Sequence, residues 1–115
     1  MKLTRNDKPV RMVNTEDSAV TPKNGATGWI NEDAAKCSRG AVVALLQPVS
    51  FFAAQEAEQA GSDKGEAAQV VALVKASLVG FEGCELTPEE FLKDPHPPVL
   101  LSMFNAVHRL TWGND

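Results

Sequence analysis

The chain has 115 residues, of which 43% are hydrophobic and 23% charged, with a formal net charge of −4. This is globular composition, sized for one domain over residues 1–115 and too short for two independent cores. No apolar run reaches the ~18 to 20 residues of a membrane span, and five Phe, two Trp and no Tyr are few for a surface that stacks sugars or bases.

Residues 1–40 carry seven Lys/Arg against five Asp/Glu, whereas residues 41–115 carry four against ten. The basic residues are dispersed, which argues against a nucleic-acid partner. The split itself suits either head-to-tail contacts in a homo-oligomer or a solvated surface. Residues 1–7 include basic side chains with no apolar stretch behind them, so no signal peptide is expected and the cytoplasm is the expected compartment. Cys37 and Cys84 lie far apart, with no CxxC or Cys/His spacing nearby. In a reducing compartment they are expected to be free, buried thiols, with a disulfide between them as the open alternative.

Taken in chain order, Lys8-Pro9-Val10-Arg11-Met12-Val13 nearly alternates apolar and basic residues, as a half-buried edge strand does. Residues 14–28 are rich in Thr, Ser, Asn, Gly, Asp and Pro and read as a long polar loop, with turns near Pro22 and Asn24-Gly25. Trp29-Ile30 is a short strand or a docking point for that loop. Residues 32–39 have helix propensity without an apolar face, and Gly40 ends them. Ala41-Val42-Val43-Ala44-Leu45-Leu46 is a short apolar run between Gly40 and Pro48, and its length and β-branched pair favour a buried strand.

The second half reads as helical. Ser50 is placed to cap a helix over residues 51–60, with Gly61 as its stop. Asp63 and Glu66 resemble a capping box opening a second helix over residues 65–79, ended by Gly80. Its expected inner stripe is Ala67, Val70, Val71, Val74 and Leu78. Thr87-Pro88-Glu89-Glu90 starts a short third helix, with Thr87 as cap and Glu90 completing the box. His96-Pro97-Pro98 is a stiff connector, with Pro98 the candidate first residue of a last helix running to Thr111. Leu100, Met103, Phe104, Val107 and Leu110 form that helix's apolar side.

Residues suited to chemistry are few. There is no phosphate loop, dinucleotide fingerprint, nucleophile elbow or metal-ligand cluster, so no cofactor is expected. His96 is expected to be a solvated connector residue. His108 is expected to be partly buried beside the core or to sit favourably at a helix C-terminus, the functional alternative being a pH-sensitive contact. Glu82, Glu85, Glu89, Glu90 and Asp94 lack the alternating spacing and central Gly of a calcium loop. Cys84 has acidic neighbours and no base to activate it. The expectation is a non-catalytic protein.

One stretch resembles a known family. Leu45-Leu46-Gln47-Pro48-Val49-Ser50-Phe51-Phe52-Ala53-Ala54-Gln55-Glu56-Ala57 is followed by an acidic turn and an apolar helix ending in Leu78-Val79-Gly80-Phe81-Glu82-Gly83. Then come Leu86-Thr87-Pro88-Glu89-Glu90-Phe91-Leu92 and a helix containing Phe104-Asn105-Ala106-Val107. This order resembles the tail assembly chaperones of long-tailed bacteriophages over residues 41–111, about 60% of the chain. Residues 1–40 have no counterpart in it. The resemblance implies a protein without chemistry that coats the helical tape-measure protein in the host cytoplasm until tail-tube subunits displace it. It also implies assembly into rings or spirals.

A chaperone for a helical client needs apolar side chains left partly exposed. Phe51, Phe52, Phe81 and Phe91 are the candidate partner-binding residues. Phe104 is read as core, as Phe81 also is on the plainer reading. Phe51 and Phe52 are adjacent and diverge by about 100° on a helix, so at least one must reach a surface or a partner. Two alternatives of other classes remain: a structural virion subunit (head–tail connector or tail terminator) with residues 14–28 as an arm that orders on assembly, and a small acidic regulatory protein that binds a basic partner. The expected fold is α+β and predominantly α, with a small N-terminal β portion followed by three or four helices.

Overall fold

The computed structural model describes residues 8–113; residues 1–7, read above for a signal peptide, lie outside them. The fold is α+β and predominantly helical, with most strands preceding the helices. Four strands, β1 (Val10–Asn14), β3 (Trp29–Asn31), β5 (Val43–Leu46) and β6 (Leu78–Glu82), form an antiparallel sheet in the order β3-β1-β5-β6. Two more, β2 (Val20–Pro22) and β4 (Ala35–Cys37), pair into a separate antiparallel ribbon. The helices are α1 (Phe51–Lys64), α2 (Glu66–Ser77), α3 (Pro88–Lys93) and α4 (Pro97–Trp112).

The sheet lies between two apolar clusters, and the alternation of side chains along its strands assigns each residue to one of them. Met12, Trp29, Ala44 and Leu46 face the helices and join Val70, Leu73, Val74, Met103, Ala106 and Val107 in the main core. Their neighbours Val13, Ile30 and Val43 face the other way and pack with Val20 and Ala35 of the ribbon. Cover on both faces explains why Val43–Leu46 is continuously apolar rather than alternating.

This arrangement corrects several expectations. Strand β1 is interior, paired with β3 on one side and β5 on the other. Pro9 does not oppose this, because it precedes the strand and withholds no ladder donor. The polar segment 14–28 contains β2, whose single apolar residue Val20 is buried; a strand of three residues is too short to show a period. Its turns are built as their composition suggests. The Asn14 carboxamide accepts from the Glu16 N–H, and Asp17 accepts from the amides of Ala19 and Val42. Residues 32–39 form one 3₁₀ turn, Glu32–Ala34, and then β4. Asn31 caps the turn by accepting from the Asp33 N–H, and without an apolar face there is nothing to extend it. The Cys37 and Cys84 thiols are free and exposed rather than buried: Cys37 ends the ribbon and Cys84 sits in the turn after β6.

Ser50 caps α1 as expected, its hydroxyl accepting from the Ala53 N–H at 3.2 Å. Gly61 does not stop the helix, which runs one turn further to Lys64. Gly61 instead permits close approach of α2, since a Cβ there would lie 2.6 Å from the Gln69 side-chain oxygen. The break falls at Gly65, with φ at +102°, a value that only glycine adopts readily. Asp63 therefore belongs to α1, accepting from the Gln59 amide, and α2 has no side-chain cap.

Helix α2 ends at Ser77, and residues 78–82 form strand β6 instead of a helix end and turn. Two hydrogen bonds draw the chain toward the residue after β5. Ser77 accepts from the Gln47 N–H at 3.0 Å through its carbonyl and donates to the Gln47 carbonyl through its hydroxyl. The inner face of α2 is consequently Val70, Leu73, Val74 and Ser77, while Ala67 is exposed. Thr87 caps α3 by accepting from the Glu90 N–H and also donates to the Glu90 carboxylate. Helix α4 begins at Pro97, one residue earlier than expected, and buries Leu100, Met103, Ala106 and Val107.

Candidate protein-interaction surface

The first turn of α1 carries the two most exposed of the large apolar side chains among the described residues. Its position follows from β5: after Leu46 the chain passes Gln47-Pro48-Val49, and the Val49 N–H donates to the Thr111 hydroxyl of α4 at 3.0 Å. Ser50 then opens the helix, so Phe51 and Phe52 occupy its first two positions. Further along, Ala53, Ala54 and Ala57 supply the inward side. These small residues bring α1 close to the core and leave no inward place for a phenyl ring at 51 or 52.

Phe51 is 69% exposed and Phe52 74% exposed. Their rings meet edge to face, centroids 5.6 Å apart and planes at 76°, a favoured aromatic geometry. Each ring thus has the other as its aromatic neighbour and otherwise faces outward. Two adjacent phenyl groups held this way on a helix form a small projecting apolar knob, a feature that marks contact sites when it is not scattered.

The other two candidates stand elsewhere. Phe91 is buried and Phe81 half-buried, and their rings form their own edge-to-face pair at 5.5 Å. Phe91 belongs to the main core and Phe81 packs against it, so both rings help to hold α3 against β6. Phe81 and Phe91 also line an open, mostly apolar cleft of about 400 Å³, together with Trp29, Val42, Leu86 and Val99. Phe104 is half-buried against the core, in line with its reading.

The remaining sequence candidates do not converge. His96 is exposed at the N-cap of α4. His108 is exposed rather than partly buried, lying between the rings of Phe104 at 6.3 Å and Trp112 at 4.7 Å. In the acidic run, Glu82 pairs with Arg11 and Glu90 with Thr87. Among the described residues no group of three or more His, Cys, Asp and Glu is placed to hold a metal ion.

No protein-family model, curated protein or solved structure matches the chain. Sequence reasoning did not single out two further exposed apolar side chains, Leu101 and Trp112 of α4, at 53% and 51%. The signal available was that Leu101 follows Leu100 directly and so falls off the inner stripe. Among the described residues no helix is long and apolar enough to cross a membrane.

Proposed function

We propose that this chain is a non-catalytic tail assembly chaperone of a long-tailed bacteriophage, acting in the host cytoplasm on the tape-measure protein until tail-tube subunits displace it. The observation that carries the reading is the exposure of both Phe51 and Phe52 at the start of α1. They lie in the Pro48-Val49-Ser50-Phe51-Phe52 segment, one of the stretches whose order gives the resemblance to that family. A holding protein needs a folded body of its own and an apolar contact that is left unpaired. The knob on α1 supplies the second without disturbing the first, because the core is complete beneath it.

The test is co-expression with the tape-measure protein encoded nearest to this chain, scored by soluble co-purification. The expected result is a soluble complex that is lost on Phe51→Ala with Phe52→Ala, while circular dichroism shows the variant folded. An insoluble tape-measure protein beside a folded, soluble chain would overturn the reading and favour a structural virion subunit.

A further inference from the structure

The outward face of α1 carries a charge pattern as well as a phenyl pair. Ala57 is buried at the centre of the inner side, with Ala53, Ala54 and Ala60 half-buried around it. Opposite them, by helical position, lies an exposed strip of Phe51, Phe52, Gln55, Gln59 and Ser62. Glu56 and Asp63 follow the Phe52 edge of this strip and Glu58 the Phe51 edge, all three exposed. Lys64, the cation of α1, is exposed in the last turn and by the same count lies off this strip, toward the side of Ala53 and Ala57. Among the described residues no ion pair engages Glu56, Glu58 or Asp63; Asp63 accepts only a neutral hydrogen bond, from Gln59.

We propose that α1 docks a basic amphipathic helix of a partner protein. An apolar side chain of that helix seats on Phe51 and Phe52, and its Lys or Arg residues meet Glu56 and Asp63, about 6 Å and about 16 Å further along the axis. The proposal rests on the reading of α1 as the client-binding surface and names the chemistry of the segment it takes. The phenyl pair supplies the contact, and the carboxylates select sign and direction. The same carboxylates repel phosphate backbones, anionic lipid headgroups and the α1 face of a second copy. A cationic helix is the occupant that satisfies both the apolar and the charged parts.

The experiment is fluorescence anisotropy with the full chain and three labelled peptides of about 18 residues, long enough to fold on docking. One is amphipathic with Leu on one face and Lys on the other. The second replaces each Lys by Glu, and the third scrambles the first so that no apolar face remains. The first is expected to bind at least about tenfold more tightly than the other two, the scale of two or three partly exposed charge pairs. Phe51→Ala with Phe52→Ala should abolish its binding, and Glu56→Lys with Asp63→Lys should reverse the preference toward the acidic peptide. Equal binding of the basic and acidic peptides, equal binding of the scrambled one, or unchanged binding to the phenylalanine variant overturns the proposal. Capture of the tape-measure protein without a peptide preference would remove this proposal and keep the chaperone reading. A peptide preference without that capture would do the reverse.

Discussion

The backbone N–H of Trp29 donates to the Ser102 hydroxyl at 3.0 Å, tying strand β3 to helix α4 across 73 residues of chain. The same residue makes two further bonds to that helix: its indole N–H donates to the Val99 carbonyl, and its own carbonyl accepts from the Arg109 guanidinium. Strand β3 is one edge of the sheet, and α4 thus satisfies edge groups that would otherwise lie unpaired. Ser102→Ala leaves the amide of a buried residue without its acceptor, and should destabilise the fold by about 1–3 kcal/mol. Urea unfolding followed by circular dichroism measures it. Stability equal to wild type would show that the bond holds nothing in place.

Ser77 is fully buried and polar, and its hydroxyl has the Gln47 carbonyl as its partner. This pair sets where α2 ends and β6 begins. Ser77→Ala should cost on the order of 1 kcal/mol, the net worth of such a bond. Ser77→Val should cost more, because it adds volume to a filled site. Thermal unfolding of the two variants should rank them in that order below wild type; the reverse ranking would mean that the site has room for the added methyl groups and is not filled.

Arg11 crosses the ribbon-side face of the sheet to reach Glu32 and Glu82, at 3.0 and 2.7 Å. Hydrogen bonds to Glu32 and then Glu82 hold the guanidinium charged beyond its ordinary range. A folded-state value above the unfolded one contributes fully below the unfolded value, which for arginine lies far above neutral pH, and is lost only as pH rises through the folded value. The stability difference between wild type and Arg11→Gln should therefore be the same at about pH 6 and about pH 9, and small, since all three side chains are substantially exposed. It should shrink in ~1 M salt. A difference that grows with salt would exclude an ion-pair origin.

The helical half was legible because caps and apolar stripes are local signals: Ser50, Thr87 and the inner face of α4 all stand where their spacing puts them. What was not legible depended on contacts made at long range. Val20 and Ala35 gain their burial only when the ribbon folds over the sheet. Strand β6 exists because Ser77 is pulled onto Gln47, a pairing with no local trace. Gly61 looks like a helix stop, but α2 makes it a packing position and Gly65 carries the break. For the candidate surface, adjacency of Phe51 and Phe52 showed that at least one ring had to face outward. That both do follows from the alanines on the inner side of α1, which define a contact too close for either ring.

The phenylalanines separate contact from core in one experiment. Phe91 is 8% exposed and packs its ring against Phe81, so Phe91→Ala opens a cavity and should cost about 3–5 kcal/mol. Phe51 and Phe52 touch each other more than the core, and Phe51→Ala or Phe52→Ala should change unfolding free energy by no more than about 0.5 kcal/mol. The same two substitutions should raise solubility, because each removes exposed apolar area. Urea unfolding of the three single variants supplies the comparison. If Phe52→Ala destabilised the chain as much as Phe91→Ala, the ring would be a structural member of the fold, and α1 would lose its standing as a docking surface.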